Sequence, residues 1–319
     1  MKILVTGATG FVGRELLARL AKEPEHNVRV ALRAAAKQAL AVEGFQVSDF
    51  DSSECSAALQ SCDAVVHLAA RVHVMSDTAA DPLAEFRRVN VDGTLALAKR
   101  AAAAGVRRFV FLSSIKVNGE RTESGRPFRA DHPPNPSDAY GISKLEAERG
   151  LSEIARATGM DVMSIRSPLV YGPGVKANFL QLMQWLYRRA PLPLGGVTEN
   201  RRSLIAVENL CDLIVACLNR REPGSHVLLA SDGEDLSTAD LLKRIGVALG
   251  RPSRLISIPP AIVKLLGTLA GRGAQVQRLI ESLQVDASPT RELLGWQPPV
   301  SVDRALARTA EHFLKEVQS

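Results

Sequence analysis

Residues 2–13 read Lys2-Ile3-Leu4-Val5-Thr6-Gly7-Ala8-Thr9-Gly10-Phe11-Val12-Gly13. A short apolar run meets three glycines spaced three apart, and a helical pattern over 11–22 follows with Arg14 and Glu15 in its first turn. Glycine permits positive φ and carries no Cβ, so the backbone can come close to a pyrophosphate at the helix N-terminus, where free N–H groups and the dipole favour an anion. Gly13 lets the helix pack closely on the strand. The strand before, the helix after and the opening position in a βαβ unit are the context a dinucleotide site requires. Gly7, Thr9, Gly10, Phe11, Val12 and Gly13 are its expected contact residues.

Outward from this turn, apolar runs alternate with amphipathic stretches. Strands are expected near 28–32, 44–47, 64–68, 109–112 and 162–165, and helices near 54–60, 82–104 and 138–158. Nearly continuous apolar strands separated by helices imply a parallel sheet covered on both faces, a doubly wound α/β Rossmann domain with its ligand site at the carboxyl ends of the strands. Past Gly172 the rhythm loosens into helices near 178–189, 207–219, 238–249, 260–269 and 302–316. This predicts a dinucleotide-binding domain over 1–172 and a smaller, mostly helical substrate lobe over 173–319, with about 203–230 returning to the main domain.

At 319 residues the chain is long enough for two domains, and 46% hydrophobic with 23% charged residues is the composition of a folded globular protein. Forty Lys and Arg against 34 Asp and Glu give a net charge of +6, which suits an anionic ligand. Nucleic acid is not indicated, because the basic residues form no block and aromatics are only 4%. Cys55, Cys62, Cys211 and Cys217 lack metal-ligand spacing, so no metal is expected, and they read as buried thiols of a reducing cytoplasm. No targeting segment is visible, and the most apolar later stretch, 258–269, is interrupted by prolines and Lys264 and too short to span a bilayer.

The end of the second strand selects the cofactor, since a carboxylate there bonds the 2′-hydroxyl of NAD and an arginine accommodates the 2′-phosphate of NADP. This chain has Arg33, with Lys37 one turn on, so NADPH is expected. Asp49 and Phe50, after the third strand, offer a carboxylate and a backbone N–H to adenine. Further on, the fifth strand ends in Ser113-Ser114, and Tyr140 opens a helix with Lys144 at i+4, so the two share a face. A lysine ammonium near a phenol lowers its pKa and makes it a usable proton donor or acceptor, with Ser114 holding the substrate oxygen.

With these residues in place the sequence resembles the extended short-chain dehydrogenases, the nucleotide-sugar epimerase and dehydratase family, over essentially its whole length. The carrying segments are TGATGFVG at 6–13, DAVVHLAA at 63–70, VNVDGT at 89–94, FVFLSS at 109–114, YGISK at 140–144, RSPLVYGPG at 166–174 and RRSLIAVENL at 201–210. The resemblance implies that Leu68, Ala69 and Ala70 line the cofactor, Asn90 supports the site, and Ser167 with Pro168 approaches the nicotinamide. It also implies Arg202 and Asn178 as contacts of a nucleotide diphosphate, and a homodimer through the helices at 82–104 and 138–158. Arg71 and His73, in the loop after the fourth strand, point to the substrate side.

Departures narrow the chemistry. Dehydratases of this family carry an acidic pair after the catalytic hydroxyl residue, but here Ile115-Lys116 stands there, which argues against dehydration. Two readings share hydride transfer at C4 of a UDP-sugar with Tyr140 moving the hydroxyl proton. Arg33 favours the first, an NADPH-dependent reductase of a UDP-linked 4-keto-6-deoxy-N-acetylhexosamine, making UDP-N-acetylquinovosamine or fucosamine for surface polysaccharide. The alternative is a UDP-hexose or UDP-N-acetylhexosamine 4-epimerase that keeps NAD bound. A non-catalytic cofactor sensor is disfavoured, because Tyr140 and Lys144 are both present.

Overall fold

The apolar runs assemble, in a computed structural model that describes residues 1–33, 42–72, 81–123 and 125–318, into a parallel sheet flanked by helices. The order begins β1 (Lys2–Thr6), α1 (Phe11–Leu20), β2 (Asn27–Leu32), β3 (Glu43–Gln46), α2 (Ser53–Leu59) and β4 (Ala64–His67). It continues with α3 (Pro82–Arg87), α4 (Gly93–Ala103), β5 (Arg108–Ser114), α5 (Ala139–Thr158), β6 (Asp161–Ser167) and β7 (Leu169–Tyr171). Then come α6 (Ala177–Tyr187), β8 (Leu204–Ala206), α7 (Val207–Asn219), β9 (His226–Leu229) and α8 (Thr238–Ala248). The chain closes with α9 (Pro260–Leu269), α10 (Gly273–Ile280), α11 (Ser288–Leu294) and α12 (Val302–Gln318).

Seven strands pair in parallel in the order β3-β2-β1-β4-β5-β6-β9. Within β1 the side chains alternate between faces. Ile3 and Val5 join Leu16 and Leu20 of α1 and Leu210 and Ile214 of α7, whereas Leu4 joins Leu59, Leu97 and Leu151 under α2, α4 and α5. Each fully buried Leu or Ile contributes about 1.5–3 kcal/mol, so a strand buried on both faces is held by its own composition. Strand order reverses beside β1, with β2 on one side and β4 on the other, and the crevice opened there is where such sheets bind ligands.

The glycine turn fits this crevice tightly. Gly7 has φ +71°, and a Cβ on it would lie 2.6 Å from the Ala69 amide nitrogen in the loop after β4. A Cβ on Gly13 would lie 2.2 Å from the Gly7 carbonyl oxygen and 2.7 Å from Ala8 Cα, both rigid backbone. Gly13→Ala is therefore expected to push α1 off the turn and cost about 1–3 kcal/mol, read as a lower urea midpoint together with weaker dinucleotide binding. An unchanged midpoint would show that α1 has slack at this contact.

Beyond the sheet, Tyr171, Phe179, Leu186, Leu242, Ile245, Leu306 and Phe313 form a separate core under the lobe helices, with β7 and β8 as a two-stranded parallel ribbon. The structure departs from the periodicity in two places. The expected single helix over 82–104 is broken by a wide turn of π type at Arg88–Asp92, between α3 and α4. The extra residue turns Asn90 inward, where its amide binds the Arg71 backbone, and such turns frequently mark functional sites. Helices α10 and α11 were also not expected, being short segments whose order comes from packing on the lobe.

Candidate active site

The sheet register places Ser114 of β5 beside Ser167 of β6 at their carboxyl ends. Asp138 caps α5, its carboxylate accepting from the Gly141 N–H at 2.7 Å, which sets the first turn carrying Tyr140 over those strand ends. The Tyr140 ring stands edge-on to Phe86, with centroids 6.1 Å apart. One turn on, Lys144 is buried; its Nζ donates to the Leu112 carbonyl at 2.8 Å and lies 4.4 Å from the Phe111 ring centre and 5.9 Å from that of Tyr140.

This geometry corrects the expected electrostatics. Tyr140 is pushed up to about 12 rather than down, by desolvation first and then by the Asp138 charge, with a Ser114 hydrogen bond pulling the other way. Burial brings Lys144 down to about 7, opposed by Glu148. For the phenol, the loss of hydration outweighs the Ser114 hydrogen bond that favours its charged form. Asp138 is itself partly neutralised, because Lys116 Nζ pairs with it and with Glu120, the latter at 2.8 Å.

A hydrogen-bonded relay ties the glycine turn to α5. Thr6 Oγ1 lies 2.7 Å from His67 Nδ1, and His67 Nε2 lies 3.0 Å from Thr94 Oγ1, whose hydroxyl donates to the Asn90 carbonyl at 2.7 Å. Because Thr94 spends its proton on that carbonyl, it accepts from His67 Nε2–H, which leaves Nδ1 to accept from Thr6. Asn90 Nδ2 then donates to Ser143 Oγ at 3.0 Å, and Ser143 to the Tyr140 carbonyl at 2.8 Å. His67 is fully buried and brought down to about 3 by desolvation and then by Lys144. A depressed histidine contributes stability above its unfolded pKa near 6.5 and loses it as pH falls toward 3. At pH 5 the parent should be about 2 kcal/mol less stable than at pH 7 on this account, a loss that His67→Gln should largely abolish in urea titrations. Equal pH dependence of the two proteins would remove His67 from the explanation.

Behind Lys144, Glu148 and Arg166 form a buried pair, Nη2 to Oε2 at 2.6 Å. Ser113 Oγ donates to Glu148 at 2.5 Å, and Arg166 Nη1 reaches Asn118 Oδ1 at 3.0 Å. Neither member was singled out by the sequence reading.

On the cofactor side, Gly10 caps α1 with no side-chain bond, so the first N–H groups of the helix stay open to an anion above the glycine cradle. Phe11 and Val12 supply that turn, with Thr9 at its rim. Across the crevice Leu68, Ala69 and Ala70 are half-buried, and the Ala69 N–H donates to Thr6 Oγ1 at 3.3 Å. Arg33 is exposed just past β2. Asp49 is exposed and accepts from the Asp51 N–H at 2.5 Å, while Phe50 packs edge-on against His67 at 5.4 Å. Lys37 and His73 lie outside the described residues. The residues present thus fit a dinucleotide.

Ser114, Tyr140, Ser167, Pro168, Asn178 and Arg202 all line one cavity of about 630 Å³ between sheet and lobe. Its far walls are apolar, with Leu182, Trp185, Leu192, Leu241 and Val263 among them. Lys116, Arg272 and Arg278 join Arg202 there, against Glu120. Burial and then the neighbouring Arg278 lower the Arg202 pKa, which places two guanidiniums near each other in a partly dry site, an arrangement an anion relieves. Arg278 escaped the sequence reading, since it stands on a helix that local patterning did not reveal.

Comparisons with known proteins identify the family. The model of the NAD dependent epimerase/dehydratase family matches residues 3–230. A Vibrio cholerae protein described as UDP-glucose 4-epimerase is 44% identical over 314 residues, 98% of this chain and 95% of that protein. The structure of MoeE5 in complex with UDP-glucuronic acid and NAD is 25% identical with a TM-score of 0.78, covering 99% of this chain and 100% of that chain. That of the Thermotoga maritima UDP-glucose 4-epimerase with UDP-glucose is 23% identical with a TM-score of 0.79 over 99% of this chain and 100% of that chain, a likeness of fold. With the glycine cradle, the Ser114–Tyr140–Lys144 set and the match over more than two thirds of its length, the chain belongs to the NAD-dependent epimerase/dehydratase family of enzymes.

Proposed function

We propose that this enzyme is a UDP-sugar 4-epimerase working with a retained NAD, on a UDP-hexose or its N-acetyl derivative. The observation that carries the reading is one cavity holding both the Ser114–Tyr140 pair and the three arginines Arg202, Arg272 and Arg278, the two ends a sugar diphosphate needs. The 44% likeness to the Vibrio cholerae protein supports the epimerase over the reductase favoured on sequence. A bound NAD, held at the glycine turn, would supply reversible hydride exchange at C4 of the sugar. Tyr140 takes the C4 hydroxyl proton and gives it back, Ser114 holds the reacting oxygen, and Lys144 supplies positive charge beneath the phenol. Arg202 and Arg278 hold the diphosphate while the sugar turns. Asn178 adds a contact at the same wall.

A second reading rests on Arg33, which favours NADPH and a 4-keto reductase making a UDP-linked 6-deoxy-N-acetylhexosamine. The two differ in what the purified protein contains. Denaturing it should release NAD in a stoichiometric amount, and the protein should interconvert UDP-glucose and UDP-galactose, or their N-acetyl forms, without added cofactor. An empty protein that consumes NADPH would establish the reductase instead. We also read the enzyme as a homodimer through α4 and α5, to be checked by light scattering, acting in the cytoplasm.

A further inference from the structure

Helix α9 turns Val263 and Gly267 inward and leaves Ile262, Leu265, Leu266 and Leu269 exposed at 47%, 60%, 52% and 76%. At about 100° per residue these four fall within an arc of about 100°, a continuous apolar ridge along the outer side of the helix. Scattered exposed leucines are ordinary, but an unbroken ridge on a surface helix marks contact with something apolar. Ile256, on the segment leading into α9, is also 50% exposed.

The stretch of sequence that carries this ridge has formal charges of one sign. Residues 241–280 contain seven basic residues, Lys243, Arg244, Arg251, Arg254, Lys264, Arg272 and Arg278, and no Asp or Glu. Removing these seven from the 40 Lys and Arg of the chain leaves 33 against 34 Asp and Glu, so the entire positive excess of the protein lies in this segment. Lys243 and Arg244 answer carboxylates of Asp240, Glu234 and Asp303, Arg251 stacks on Tyr187, and Arg278 faces Glu120. Arg254, Lys264 and Arg272 are exposed and make no ion pair among the described residues.

We propose that the outer face of α9 docks on an anionic lipid bilayer, with Ile262, Leu265, Leu266 and Leu269 in the headgroup boundary and Arg254 and Lys264 against acidic headgroups. An apolar ridge on one face of a helix with a basic residue on the polar face is the pattern of a helix lying in a membrane interface. Each Lys or Arg near an anionic surface strengthens partition about fivefold. A second copy of this chain is the poorer occupant, because a two-fold contact would set the carboxylate-free segment against itself. The attachment is peripheral, since no described helix is long and apolar enough to cross a membrane. Val263, on the inner side of α9, lines the substrate cavity with Val276 and Leu279, so docking sets the cavity roof on the lipid surface.

The test is co-sedimentation of the full-length protein with vesicles of phosphatidylcholine, with and without phosphatidylglycerol. Binding should require phosphatidylglycerol and weaken with added salt. The double variant Leu265→Gln, Leu269→Gln and the double variant Arg254→Glu, Lys264→Glu should each lower partition by about tenfold or more. All four side chains lie outside the cavity, so turnover and melting temperature in solution should stay at the parent value. The proposal is overturned by absence of binding at low salt, by equal binding to both vesicles, or by glutamine variants that bind as the parent does. It is also overturned if the glutamine variant has a smaller mass by light scattering than the parent, which would make the ridge a subunit interface.

Discussion

Tyr140→Phe is expected to lower turnover of the UDP-sugar by about 10²–10⁴-fold, equivalent to roughly 3–5 kcal/mol of barrier, while dinucleotide binding survives. The hydroxyl acts at the reacting oxygen, so its loss weighs on the transition state and little on the ground state. The ring stays, and its edge contact with Phe86 keeps the first turn of α5 in place. Desolvation and Asp138 hold the phenol near 12 in the protein alone, so the phenolate that takes the C4 proton would need the positive charge of Lys144 and of a bound nicotinamide beside it. A phenylalanine variant with near-parent turnover, under conditions where chemistry limits the rate, would falsify the assignment of Tyr140.

The second large effect is structural and reaches catalysis through Lys144. Glu148→Gln keeps the side chain's shape but leaves the Arg166 guanidinium, only 3% exposed, without its counter-charge. Removing one partner of a buried pair costs about 3–5 kcal/mol. At about 2 cal/mol/K of unfolding entropy per residue, this chain should melt roughly 5–8 °C lower. Glu148 also supplies the attraction that opposes the burial of Lys144, so its loss should lower the Lys144 pKa further from about 7. A group needed as its ammonium loses function as pH rises through its pKa. The alkaline fall in turnover should therefore move to lower pH in Glu148→Gln, a shift that general destabilisation does not produce. Replacing both partners, Glu148→Leu with Arg166→Met, should recover much of the lost stability but leave the shifted pH profile. A melting temperature unchanged in Glu148→Gln would mean the pair contributes nothing net.

Sequence alone determined whatever depends on neighbours along the chain. The glycine spacing at 7, 10 and 13, the alternation of apolar strands with helices, and the four-residue step from Tyr140 to Lys144 are local patterns, and the strand and helix geometry turns each directly into a position. Even so, the step predicted a phenol drawn toward neutrality, and the structure shows the reverse, because desolvation is set by everything packed around the two side chains. Tertiary structure alone decided the rest. Glu148 and Arg166 stand 18 residues apart and meet only because α5 crosses β6. His67 bridges Thr6 and Thr94 only once β4 lies between β1 and β5 in the sheet. Arg278 joins Arg202 only when α10 folds over the cavity. The sequence placed a helix near 260–269 without marking its outward ridge, since apolar periodicity records that a face is hydrophobic but not what stands opposite it. Contact between residues far apart in sequence is a property of the closed fold, and no local periodicity encodes it.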